Sequence, residues 1–386
     1  MNMHLVIPRG AIGVLVVLSL LVGIDSSTAQ PAWWTVPELK YVEIMDDTAH
    51  GASPHYWTFG GPSTTDSTGD QTYLYTQDSG TNANFSQYVV AELRAAGNAD
   101  QVTHRWATAH IGLPKGCSQF GRRVVIGDGG QAQDVQPFYA YPDDYTLGTS
   151  TEAILQADVP ADCDPLHFNH DGTLLYTNHY LSSSGSRTDL QRYRVTGPLD
   201  KDGVAFTRDT AWQDGGVFAT AVGRLRNFTI RYINGKDLIF YGEGDTINFP
   251  SSLYVFDPET GTETRLTENV FEPGAASENN DIVNVKVSGV GSGDMYIHVM
   301  GSIAGLKIFK LAPDALSLAN NGAPVAVFTP EDLNTLTDSE AFTSHCRGFE
   351  VTDDGQYAFF STHNAPDSIF VFHAQPGTSV KDWMKQ

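Results

Sequence analysis

A strand, an Asp-Gly turn and a second strand recur along the chain. A sequence that repeats such a unit has to stack its copies side by side to bury their apolar faces. PLHFNHDGTLLYTNHY from Pro165 and RGFEVTDDGQYAFFSTHN from Arg347 show the unit most plainly, each running on into a polar loop that contains His. A third strand follows each, TDLQRYRV from Thr188 and DSIFVFHA from Asp367. Successive antiparallel strands of one sheet read this way. The same frame recovers SQFGRRVVIGDG from Ser118, RNFTIRYINGKDLIFYGEG from Arg226, VNVKVSGVGSGDMYIHVMGS from Val283 and, ahead of these, HYWTFGG running through TYLYTQD. Aligned on the apolar residue of the first strand, the copies superpose Phe59, Phe120, Phe168, Phe228, Val285 and Phe349.

Fourth strands follow at HRWATA, EAILQAD, VAFTRDTAW, TETRLTENV and PVAVFTPED. The last copy lacks one after Phe372, and KYVEIM, Lys40 to Met45, is expected to supply it. Pairing an early strand with a late one removes the exposed edges an open array would carry. Only Pro330 to Leu336 and the C-terminal tail read as short helical turns. The chain is therefore expected to be all-β. Its strand, Asp-Gly, strand pattern resembles the broad β-propeller superfamily, and the TolB-like repeats in particular. The reading is a single six-bladed β-propeller of four-stranded blades, the last closed by the N-terminal strand, with seven blades as the alternative. Fold does not imply function here, because no GxSxG, phosphate loop, haem-attachment site or EF-hand is present.

Arg9 precedes an apolar stretch from Ala11 to Ile24, and Ser27-Thr28-Ala29 offers small residues for cleavage, so residues 1–29 read as a signal peptide. The stretch is shorter than the ~20 residues a spanning helix needs. Residues 30–386 are then the propeller domain, secreted to the extracellular space or periplasm after cleavage near Ala29, with no stable membrane insertion. A net charge of −22 argues against nucleic-acid partners and means that a polyanionic ligand needs a locally basic pocket. The odd count of three cysteines leaves at least one thiol without an intrachain partner. Cys117 with Cys163 is the preferred bridge between neighbouring blades, with Cys346 the remaining thiol, though sequence does not choose among the pairs.

Loops entering first strands and loops leaving second strands share one face of a propeller, so the repeat frame turns scattered residues into rings. Four positions before the marker stand His55, Gly116, Asp164, Arg224, Asp281 and His345; one before it stand Thr58, Gln119, His167, Asn227, Asn284 and Gly348. Second-strand exits add Asp78, Asp128, His179, Glu243 and His363. Such polar residues are also ordinary turn and channel material.

Three kinds of chemistry suit this face. Proton abstraction from a uronic acid residue of a polysaccharide would use Arg224, Arg226 and Arg347 to neutralise the sugar carboxylate, with His179, Tyr180, His345 and His363 as acid and base. One divalent metal ion, calcium or a transition metal, would be held by His55, Asp164, Glu243 and Asp281. In a calcium-dependent lactonase or esterase, Asn227, Asn280, Asp281, Asn284 and Glu243 would supply the oxygens. Binding of a glycan, protein or small ligand without turnover is the non-enzymatic reading. The leading expectation is a carbohydrate-active propeller, a polysaccharide lyase.

Overall fold

A computed structural model describes residues 33–35, 165–179, 189–197, 205–222, 225–243, 251–272, 281–291, 293–337, 340, 342, 346–362 and 369–373, together with the strands named below between residues 40 and 155. All of these strands belong to one compact unit, Pro31–Gln386. Strand β1 (Lys40–Glu43) comes first. β2 (Tyr73–Gln77), β3 (Asn84–Val89) and β4 (His104–Thr108) form one sheet in that order. β5 (Pro114–Phe120), β6 (Arg123–Asp128), β7 (Pro137–Tyr141) and β8 (Ile154–Leu155) form the next. A third holds β9 (Leu166–Phe168), β10 (Leu174–His179), β11 (Asp189–Thr196), β12 (Ala205–Arg208) and β13 (Val217–Ala219). β14 (Phe228–Ile233), β15 (Lys236–Gly242), β16 (Leu253–Asp257) and β17 (Thr262–Thr267) make a fourth; β18 (Ile282–Ser288), β19 (Tyr296–Gly301), β20 (Gly305–Lys310) and β21 (Pro324–Phe328) a fifth. Among the described residues one α-helix, α1 (Pro330–Thr337), falls where the sequence expects one. β22 (Cys346–Val351), β23 (Tyr357–Thr362) and β24 (Ile369–His373) complete the series, and β1 pairs β24 with Lys40 opposite His373 and Glu43 opposite Phe370.

The strands heading these sheets, β2, β5, β9, β14, β18 and β22, each touch the next in sequence order. Antiparallel sheets that meet along their first strands and pack face against face make an all-β propeller. Among the described residues, three apolar layers fill the spaces between sheets. Tyr176, Trp212, Phe228 and Phe256 lie between the third and fourth, Phe240, Val255, Val285 and Val299 between the fourth and fifth, and Leu306, Phe349, Phe360 and Phe372 between the fifth and last. A strand packed on both faces has no solvent side, which is why every residue of β18 is buried.

The local chemistry explains the turns. In the Asn169–Thr173 turn, Gly172 takes φ 71°, the Thr173 amide donates to Asp171 Oδ1, and the Asn169 amide donates to Leu174 O. The Thr352–Gln356 turn repeats this, with Gly355 at φ 68°, the Gln356 amide donating to Asp354 Oδ1 and the Thr352 amide to Tyr357 O. The repeated Asp-Gly is thus one turn used twice. Between β14 and β15, Asn234-Gly235 supplies a two-residue hairpin loop in which both residues have positive φ, 53° and 84°.

The expectation of six uniform four-stranded blades, or of seven, is corrected. Four sheets are four-stranded, counting β1 in the last. The β2–β4 sheet has three strands among the described residues, and the HYWTFGG segment expected to head it lies outside them. The β9–β13 sheet has five, because the outer strand read as VAFTRDTAW stops at Arg208. There Asp209 turns its carboxylate onto Arg192 Nη2 at 2.6 Å and Arg194 Nε at 2.9 Å, and the chain loops through Trp212 to resume pairing with β11 as β13. Trp212 drops into the apolar layer, and its indole N–H donates to Pro258 O at 2.8 Å.

Before β1, a 3-10 turn at Trp33–Thr35 wedges Trp33 into the space between the fifth and last sheets. Its ring stacks on Phe328 at 5.4 Å and meets Phe372 at 5.5 Å and Phe360 at 6.0 Å, while its amide donates to Gly355 O. Trp34 sits edge-on to His298 at 4.8 Å and to Tyr296 at 5.1 Å.

Candidate functional site

Antiparallel register places the start of each first strand opposite the end of its second: Leu166 faces Thr177, Phe228 faces Tyr241, Ile282 faces Gly301 and Cys346 faces Thr362. The rim residues of the repeat frame therefore leave the sheets at one end. Glu243 and Asp281 are brought together there, because the Ile282 amide donates to Glu243 O at 3.2 Å. Gly242 makes that approach feasible: a Cβ at this position would stand 2.4 Å from Ile282 Cγ2.

Arg226 and Asp281 are the best-defined pair at this rim. Nε and Nη2 of Arg226 both donate to Asp281 Oδ2, at 3.0 and 2.8 Å, with Asp281 fully buried and Arg226 16% exposed. One position inward, the Asn227 side-chain amide donates to Asn284 Oδ1 at 2.5 Å while its own oxygen accepts from the Phe228 amide. The side chain of Asn178 donates to Leu225 O at 2.7 Å, tying the third sheet to the fourth. His167 neighbours Asn227, and its ring is edge-on to Phe228 at 4.9 Å. Burial, then the charges of Lys286 and Arg231, hold His167 down at about 3, so it is neutral. The column of positions just before the marker is thus a chain of contacts from His167 through Asn227 to Asn284, as the repeat frame anticipates.

The remaining candidates divide plainly. His55, Asp164, Tyr180, Arg224, His345 and His363 lie outside the described residues, as does Cys163. His179 ends β10, and Cys346 and Arg347 open β22. Their backbones are placed at the rim end of their ladders. Among the described residues no group of three His, Cys, Asp or Glu side chains converges as a metal would require, and two of the four metal candidates fall outside them.

Two charged residues were missed by the sequence reading. Lys286 and Glu350, one position after the marker on β18 and β22, form an ion pair at 3.0 Å with side-chain exposures of 2% and 3%. Burial pushes the Glu350 carboxyl up, against the pull of Lys286 and Arg231. The signal was present in VNVKVS and GFEVT, where a lone charge interrupts a run of strand-forming apolar residues. A charge at such a place needs a partner on the adjoining strand. Arg231, further along β14, donates from Nε to Val287 O at 3.1 Å and reaches Asp353 at 3.4 Å. Polar and charged contacts thus join the fourth sheet to the fifth, the fifth to the last, and the fourth to the last, all along first strands or their turns.

Replacing Arg226 by Ala is expected to cost about 3–5 kcal/mol, because it leaves the Asp281 carboxylate buried without its partner. Denaturant midpoints of Arg226→Ala and of the double variant Arg226→Ala/Asp281→Asn check this. The double variant should recover much of the loss, and equal losses in both would contradict the account.

No protein-family model matches the chain, and no curated protein matches it. Among solved structures it is similar to one described as the structure of the Dos1 propeller, at 11% identity and a TM-score of 0.41, covering 84% of this chain and 68% of that one. The paired sheets and the succession of contacts between their first strands identify the chain as a β-propeller.

Proposed function

We propose that the protein is a secreted propeller of six blades that acts on a uronate-containing polysaccharide at this rim, cleaving it by β-elimination. The supporting observation is the Arg226–Asp281 pair. A buried carboxylate grips one edge of a partly exposed guanidinium and fixes its orientation beside the entries of β14 and β18. A guanidinium held in that way presents its other edge in a fixed plane, which suits recognition of a sugar carboxylate. Asp281 takes up much of the Arg226 charge, so in this reading Arg226 orients the substrate. Neutralisation of the carboxylate as the α-proton leaves falls to Arg224 and Arg347. His179, Tyr180, His345 and His363 are the acid and base candidates, and residues 1–29 are the cleaved leader.

Two of the oxygens that would ring a calcium ion in a lactonase, Asn284 Oδ1 and Asp281 Oδ2, already accept hydrogen bonds. Asn227 holds Asn284, and Asp281 Oδ2 holds Arg226. That favours the lyase reading over the hydrolase. In the test, purified mature protein is incubated with a panel of uronate polysaccharides while the absorbance of unsaturated chain ends is followed. A steady rise that is lost in His179→Ala or His363→Ala supports the proposal. Lactone hydrolysis with a stoichiometric divalent ion would replace it with the metal-dependent hydrolase, and binding without turnover would make the protein a recognition module.

A further inference from the structure

The dipeptide Asn-Gly occurs twice in the chain, at Asn234-Gly235 and at Asn321-Gly322. Both asparagines are exposed and hold positive φ, 53° and 55°. The pair has a chemistry that its turn role does not use, because the side-chain amide stands one residue before a backbone N–H that no Cβ shields. The surroundings of the two copies differ. Asn234 sits in the tight loop between β14 and β15, whose ladder runs up to Ile233 opposite Lys236, and its Nδ2 donates to Pro313 O at 2.9 Å. Asn321 lies in a three-residue 3-10 turn, Asn320–Gly322, just before β21, and among the described residues no hydrogen bond holds its side chain. Asn320, Asn321 and Gly322 take positive φ in succession, 54°, 55° and 77°, a conformation that residues with a Cβ hold at a cost.

We propose that Asn321 is a site of spontaneous deamidation, converted to a mixture of aspartate and isoaspartate through a succinimide closed by the Gly322 nitrogen. Hydroxide takes the Gly322 amide proton, and the nitrogen forms a bond to Asn321 Cγ. The Cγ–Nδ2 bond breaks, and ammonia leaves with a proton returned by water. Water then opens the ring, at Cγ to give aspartate or at the main-chain carbonyl to give isoaspartate. No electrons are exchanged, and water is the co-reactant. The Gly322 amide donates to Ala319 O at 3.1 Å, so the turn has to open first, a local fluctuation of an exposed segment. Isoaspartate carries the chain through its β-carbon and lengthens the backbone by one atom. The bonds that shape the turn, from the Gly322 amide to Ala319 O and from the Ala323 amide to Asn320 O, then lose their register, and with them the entry to β21.

In the test, the full chain is incubated in mildly alkaline buffer made with oxygen-18 water, digested at intervals, and its peptides are weighed and probed for isoaspartate. The Asn321 peptide is expected to gain heavy oxygen and isoaspartate first. The Asn234 peptide should follow roughly tenfold more slowly, the factor that one hydrogen bond to the leaving amide is worth. In urea both sites should convert at similar rates, since both read Asn-Gly. Gly322→Ala shields the attacking nitrogen and should slow the Asn321 reaction. The added Cβ has room, with Leu318 Cδ1 and Thr267 Oγ1 both at 4.0 Å, and the wild-type comparison decides even if the variant does not fold. Conversion at Asn234 first or at an equal rate, conversion at neither site while both react in urea, or a folded Gly322→Ala protein that reacts as fast as wild type overturns the proposal.

Discussion

Lowering the pH from 7 to 4 is expected to remove most of the protein's stability, with the loss beginning near pH 6.5. His298 is fully buried and His167 partly so, and each is held at about 3 against an ordinary value of 6.5, mainly by burial. A depressed pKa means the unfolded chain takes up the proton first. The contribution to stability is therefore fully present above 6.5 and is lost as pH falls toward 3. At ~1.4 kcal/mol per unit, each ring contributes on the order of 4 kcal/mol, and the two together approach the ~5–15 kcal/mol that holds a typical domain folded. Glu350 acts in the opposite sense, since its raised pKa favours the folded state at low pH and withdraws that support as pH rises through its folded value. One carboxyl does not offset two imidazoles. Urea midpoints measured at half-unit steps would show the fall, and His298→Phe should flatten it by about half. A midpoint that stays level down to pH 4 would sink this account.

Trp33→Ala should be the most damaging single apolar substitution on the N-terminal side. The indole is fully buried among Phe328, Phe360 and Phe372, and truncating a ring in such a layer costs about 3–5 kcal/mol. The effect should exceed that of Trp34→Ala, whose ring is only partly buried against Tyr296 and His298. Repeat proteins of this size often unfold irreversibly, so the rate of unfolding at a fixed temperature is the safer readout. A Trp33→Ala protein that unfolds no faster than Trp34→Ala would show that the wedge is dispensable.

Much of this architecture was legible in the sequence because its causes are local. The Asp-Gly and Asn-Gly pairs fix turn geometry by their tolerance of positive φ, and Asp171-Gly172, Asp354-Gly355 and Asn234-Gly235 all do what their sequence suggests. The return of KYVE to the last sheet was also legible, because one repeat lacked a fourth strand. The break between β12 and β13 was not. It depends on Asp209 finding two arginines on the neighbouring strand, and strand propensity carries no record of that. At the site, the repeat frame placed Asn227 beside Asn284 correctly, since equivalent positions on adjacent first strands must be neighbours. It could not show that Arg226 and Asp281, assigned to substrate and metal, would take each other as partners. They sit at offsets of two and four from the marker, and long side chains bridge such a stagger. Lys286 and Glu350 share one offset, so the same frame holds them as neighbours, and their burial is what makes them a pair.

The pairing of β1 with β24 also constrains the order in which the protein can be made. Lys40 and His373 lie almost the whole described chain apart, and no intermediate strand can stand in for either. A contact of that span is slow to form and cannot form at all until the late strand has emerged. During synthesis the early blades can fold one by one, while KYVE and the Trp33 wedge wait without their partners. The interval before the ring shuts is therefore the time of greatest risk of aggregation, and it is set by the length of chain still to come rather than by the strength of any blade.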